Sequence, residues 1–386
     1  MGDMRRTITG KAIVRACALA AAVLLAPSMV SGNGTVPGIR VEIFGDASTL
    51  HIEGKGIQII DTYRNLALFR NPGYSYLILS AGNNGLVVDR KLYPARMVTL
   101  LFSGGVVKIN DRLLRGHLEI ANIDNSHLVV IDVVNLESYV AGLVNAEMPH
   151  NWPLEALEAQ AVVARTYALW QKERHLNQYY DMAADFMDQV YSGAGSEDSR
   201  GWKAVNATRG QIITYQGKPI LAMYHSECGG ETENSEDAIG YRYPYLRSVK
   251  CNFCKGAPGL NWKYALSLQQ LARRLIVKGY TLSHVYGFRV MKRSRTQRVT
   301  VARVVTDHGN IDLDGATLRS VVGYDKLRST LFHVRAKNGT LFFKGRGFGH
   351  GVGMCQWGAY GMARKGYTYR QIIHFYYTGV RIEKLY

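Results

Sequence analysis

The hydrophobic period of this chain changes once, at Val133, and that change narrows the folds open to it. Upstream, between about residues 38 and 132, short apolar runs at 39–44, 57–60, 98–102 and 128–131 are broken by Gly and Asn. That is the pattern of strands joined by tight turns. Downstream, Leu136, Tyr139, Val140, Leu143 and Val144 recur at three- and four-residue spacing, which predicts an amphipathic helix that Pro149 must stop. A second helix is expected from Pro153, with Glu155 and Glu158 in its first turn and alanines at 156, 159, 161, 164 and 168. Strand returns over 212–224, 299–305 and 341–343, and Thr368 and Gln371 frame a capping box for a last helix, with Gly379 as its expected cap. The expectation is an α+β fold, with a β-rich N-terminal region over 33–125 followed by a mixed helix and sheet region over 126–386.

The first 32 residues read as a secretory signal. Arg5, Arg6, Lys11 and Arg15 precede an apolar run over 16–26, and the small residues Val30, Ser31 and Gly32 follow it. The run falls short of the about 20 apolar residues that a membrane span requires, and no later stretch reaches that length. Export to the periplasm, cell wall or exterior is therefore expected. Cleavage near Gly32 removes four positive charges and one negative, so a net charge of +17 becomes +14. The basic residues are scattered, with no run resembling a nucleic-acid arm, so no nucleic acid partner is expected. An anionic partner met after export is a better match for the excess. Cys17 leaves with the signal, and four of five cysteines remain.

Three places can carry chemistry. Glu147 stands near the end of the first helix, at the negative pole of its macrodipole and between Val144 and Met148; both settings favour a carboxyl that keeps its proton. A general acid needs that property. His225 and Cys228, with Cys251 and Cys254 after an interval of 22 residues, have the spacing of a tetrahedral zinc site. Disulfides are the alternative in an oxidising compartment, and Cys355 is available as a fourth thiol. The same cluster mimics a zinc deaminase, with Glu227 as acid and base, but Lys250 and Gly229-Gly230 break that pattern. The third place is the alternating glycine loop from Gly345 to Gly353, which presents His350, Gln356 and Trp357. Its glycines do not match a dinucleotide loop.

Four stretches together resemble one family. They are Val134-Asn-Leu-Glu-Ser-Tyr-Val-Ala-Gly-Leu-Val-Asn-Ala-Glu147-Met-Pro149, Ala159-Gln-Ala-Val-Val-Ala-Arg165-Thr-Tyr-Ala168, Tyr224-His-Ser-Glu-Cys-Gly-Gly-Glu-Thr-Glu233, and the glycine loop through Ala359. From about Val133 onward the chain resembles the stage II sporulation protein D / LytB family of amidase-enhancer-like proteins. The resemblance implies a peptidoglycan lytic transglycosylase acting on glycan strands that lack stem peptides, with Glu147 as catalytic acid and base. Arg165, His350 and Gln356 become the candidates for holding substrate. Some relatives carry a His-Cys pair of a zinc site just before Gln189-Val190-Tyr191, where this chain has Phe186-Met187-Asp188. A structural zinc here would instead have to use His225, Cys228, Cys251 and Cys254. Since part of the family is named for it, a non-catalytic enhancer of an N-acetylmuramoyl-L-alanine amidase is the competing reading.

Overall fold

Alternation between buried and exposed side chains builds the N-terminal part into one large sheet. In the computed structural model, which describes residues 35–175, 179–184 and 189–386, the strand Thr49–Asp61 buries Leu50, Ile52, Ile57 and Ile59. The signal expected over 1–32 and the Phe186-Met187-Asp188 segment lie outside the described residues. Gly38–Ala47, Leu128–Asn135, His117–Asn122, Met97–Leu101, Thr49–Asp61 and Leu66–Gly82 lie side by side in that order, each antiparallel to the next.

The strand Leu128–Asn135 runs directly into the helix Leu136–Glu147. Asn135 ends the strand and starts the helix, its side chain accepting from the Ser138 N–H at 2.9 Å. The helix stops at Met148, which is extended as a residue before proline should be. The long helix Leu154–Arg174 follows, and Ala156, Ala159, Ala161, Ala164 and Ala168 are all fully buried in it. These helices share one apolar core with the sheet. At the boundary expected near residue 125, Asn125 sits in the turn between two paired strands of that sheet.

Two further expectations shift. The stretch over 212–224 is interrupted after the strand Gln211–Tyr215 by a turn at Gln216 and Gly217, both with positive φ, pairs back on that strand as Lys218–Pro219, and resumes again as Tyr224–His225. The last helix, Tyr369–Tyr376, has its capping box, but Tyr377 ends it in extended conformation and Gly379 lies beyond. A second core, including Leu266, Leu275, Val304, Leu318, Phe332 and Phe343, holds two three-stranded sheets and two helices between residues 261 and 346.

Candidate active site

Glu147 is the last residue of its helix, and three donors from elsewhere in the chain converge on its carboxyl. Oε1 accepts from the Val190 backbone N–H at 3.0 Å and from the Tyr224 hydroxyl at 2.8 Å, and Oε2 accepts from Gln356 Nε2 at 3.2 Å. Burial raises this carboxyl above the usual glutamate range, and the three hydrogen bonds pull against it without prevailing. The position at the negative end of the helix acts in the same direction as burial. The donors still matter, because they are the groups that would hold the carboxylate once the proton has gone. No other carboxylate is among the groups that perturb Glu147 among the described residues.

Each donor is itself held. Gln189, beside Val190, is buried and accepts from the Tyr139 hydroxyl at 2.8 Å. Tyr191 stacks on Tyr139 with ring centroids 5.0 Å apart and donates to Asp132 at 2.9 Å. Tyr224 begins a short strand paired in parallel with Met354–Cys355, which brings two of the four motif stretches together, backbone against backbone. His350 accepts from the Val352 N–H at its Nδ1, 3.0 Å, so its Nε2–H is left to donate to the Tyr224 carbonyl at 2.9 Å. Burial lowers the His350 pKa to about 4, so the ring is neutral in this role. Gln356 opens the helix Gln356–Ala363. The next residue, Trp357, packs edge-on against Trp152 at 4.9 Å and against Tyr360 at 5.3 Å.

The expected site residues thus separate. Gln356 reaches Glu147 directly, and His350 reaches it only through Tyr224. Arg165 does not reach it, and its expected role as a substrate contact is corrected. It has no exposed surface, and it forms a bidentate pair with Glu137 at 3.0 and 2.7 Å while donating to the Gln211 carbonyl at 3.0 Å. Tyr224, Gln189 and Val190 are not among the expected site residues: Tyr224 stands in the sequence only as the start of a motif stretch, and Gln189 and Val190 only as the flank of a departure.

The metal set is corrected as well. Cys228, Cys251 and Cys254 do meet, but their fourth member is Cys355, and all four ligand atoms lie within 4.8 Å of one another. His225 stands outside this group, with Nδ1 3.1 Å from the Val352 carbonyl and its ring against His350 at 5.5 Å. The His-Cys-Cys set of a zinc deaminase is therefore not formed. Glu227 pairs its backbone with Phe348 in the glycine loop.

Comparison with known proteins shows what the chain is similar to. Residues 124–215 match a family model described as Stage II sporulation protein, and residues 254–353, which contain most of the second core, match one described as a domain of unknown function. The chain is similar to Stage II sporulation protein D of Bacillus amyloliquefaciens, 32% identical over 269 residues that span 66% of this chain and 76% of the relative. An uncharacterised protein of Brachyspira hyodysenteriae is 34% identical over 259 residues, 67% of this chain and 69% of its own length. A Bacillus subtilis protein named amidase enhancer is 30% identical over 289 residues, covering 62% of this chain but 40% of that longer protein.

Proposed function

The chain belongs to the stage II sporulation protein D family, and on that premise we propose that it is a lytic transglycosylase cleaving MurNAc-GlcNAc bonds of peptide-free glycan strands. The observation that carries the reading is Glu147, a carboxyl biased toward its protonated form and surrounded by three donors that suit its anion. The chemistry uses that carboxyl twice. Protonated Glu147 gives its proton to the glycosidic oxygen as the bond from that oxygen to the muramyl anomeric carbon breaks, and the bonding pair leaves with the GlcNAc 4-hydroxyl. The oxocarbenium-like centre then faces a carboxylate held by Val190, Tyr224 and Gln356. That carboxylate removes the proton from the muramyl 6-hydroxyl, whose oxygen closes on the anomeric carbon to give the 1,6-anhydro sugar. Glu147 ends protonated, and no water is consumed. A hydrolase of either stereochemistry would usually bring a second carboxylate to the bond.

The test is mass spectrometry of peptide-free glycan strands after incubation with the protein. Anhydro-muramyl ends are expected with the wild type and not with Glu147→Gln; products one water heavier would indicate hydrolysis and overturn the mechanism. A second reading rests on the relative named amidase enhancer. A non-catalytic enhancer would leave glycan strands intact and would accelerate a cell-wall amidase equally well with Gln at position 147.

A further inference from the structure

Spacing divides the four cysteines among three separate segments, and folding brings them together. Cys228, Cys251, Cys254 and Cys355 are each at most 1% exposed, and none is in a disulfide. Their sulfurs lie within 4.8 Å of one another, with Cys228 and Cys254 3.4 Å apart. A zinc ion bound tetrahedrally at about 2.3 Å from each sulfur sets the sulfurs about 3.8 Å from one another. The observed spread brackets that spacing. A two- or four-iron cluster inserts further iron and sulfide between its thiolates and needs a wider frame.

Polar groups around the sulfurs suit thiolates. The N–H groups of Cys228 and Gly358 both point at Cys355 Sγ from 3.3 Å, the Gly230 N–H at Cys228 Sγ from 3.4 Å, and the Tyr376 hydroxyl lies 3.2 Å from Cys251 Sγ. The strongest sign is Arg298. It is 2% exposed, yet among the described residues it has no salt-bridged carboxylate, and its Nε and Nη1 have no hydrogen-bond partner. Its Nη2 donates to the Cys228 carbonyl at 2.5 Å and to the Glu231 carbonyl at 3.2 Å, and Glu233, Cys228 and Cys355 are the groups that favour its charge. Gly351, at φ +88°, makes room for it, since a Cβ there would lie 2.7 Å from the guanidinium carbon. Burying a guanidinium that has no carboxylate in direct contact is costly, and Glu233 offsets that only from a distance. A zinc ion with four thiolates is dianionic and would add counter-charge beside the guanidinium.

We propose that Cys228, Cys251, Cys254 and Cys355 hold one structural zinc ion, and that Arg298 is the buried cation that balances the tetrathiolate. The site is independent of the glycan chemistry but mechanically joined to it. Cys355 immediately precedes Gln356, so the ion would clamp the start of the Gln356–Ala363 helix to the strand Tyr224–His225, where Tyr224 lies.

The experiment uses the full purified chain and needs no glycan. Elemental analysis should find one zinc per chain, and intact mass without reductant should equal the fully reduced mass, with no disulfide, after the metal is chelated. Two disulfides without metal, or iron with visible absorption, would overturn the proposal. Zinc transfer to a chromophoric chelator then tests Arg298. Arg298→Met should release the ion about 10–100-fold faster, the range seen when an outer partner of a metal ligand is lost, while Arg298→Lys should stay near the wild-type rate. Equal release from the wild type and Arg298→Met would refute the counter-charge. Unaltered zinc in a protein that fails to cleave glycan would count against the transglycosylase reading alone.

Discussion

Arg165→Met offers a sharp test of how the motif residues divide between scaffold and site. The substitution leaves the Glu137 carboxylate buried at 2% exposure with two remaining donors, the Gly210 N–H at 3.1 Å and the Tyr386 hydroxyl at 2.5 Å. It also takes a donor from the Gln211 carbonyl. Removing one member of a buried ion pair costs about 3–5 kcal/mol, because the charge left behind is uncompensated. A domain has about 5–15 kcal/mol in total, so the variant should fold but unfold early. With an m value of about 3 kcal/mol/M in urea, the midpoint should fall by about 1–1.7 M. Urea unfolding followed by tryptophan fluorescence reads this directly. Glu137→Gln combined with Arg165→Met leaves neither charge and should recover part of the loss. Binding of peptide-free glycan strands, measured without denaturant, should be unchanged in whatever fraction is folded. An unmoved midpoint together with lost glycan binding would refute the reasoning and return Arg165 to the substrate.

Three further outcomes follow from the geometry. Burial raises the Asp132 pKa to about 7 from 3.8, so the folded state keeps a proton the unfolded chain has released. Stability should therefore decline as pH rises from about 4 to about 7, by on the order of 3 kcal/mol, and Asp132→Asn should flatten that decline in thermal melts across this range. Tyr224→Phe removes a donor that favours the Glu147 carboxylate, so the alkaline limb of glycan cleavage should move to higher pH while kcat falls about tenfold; a limb that moves down would contradict the assignment. Gly358→Ala would place a Cβ 1.9 Å from the Tyr376 hydroxyl and 2.8 Å from Cys251 Sγ. It should destabilise the fold by about 1–3 kcal/mol in denaturant titration, as overpacking does.

Much of the fold was legible because local rules and tertiary packing agree. The N-terminal strands bury one face in clean alternation, and Asn135, Pro149 and the Thr368 capping box act where short-range chemistry says they should. The second core was nearly invisible. Its strand Val285–Arg293 is buried at only one position, so its sequence carries little alternation. Within the site, Glu147 could be read from its place at a helix end and from the family motif. The Val190 donor could not, because a backbone N–H leaves no residue signature. Arg165 looked the same in sequence whether it faced a sugar or Glu137. Counting cysteine spacings could not foresee that the strand pairing aligns His225 with Cys355 and that only the latter joins the thiols.

The donors to Glu147 come from 43, 77 and 209 residues further along the chain. Contacts of such separation form late and slow the search for the native state. A chain emerging from synthesis therefore carries the carboxyl long before it carries Gln356. Until that residue arrives, the glutamate lacks part of the cradle for its anion, which ties a complete site to completion of folding.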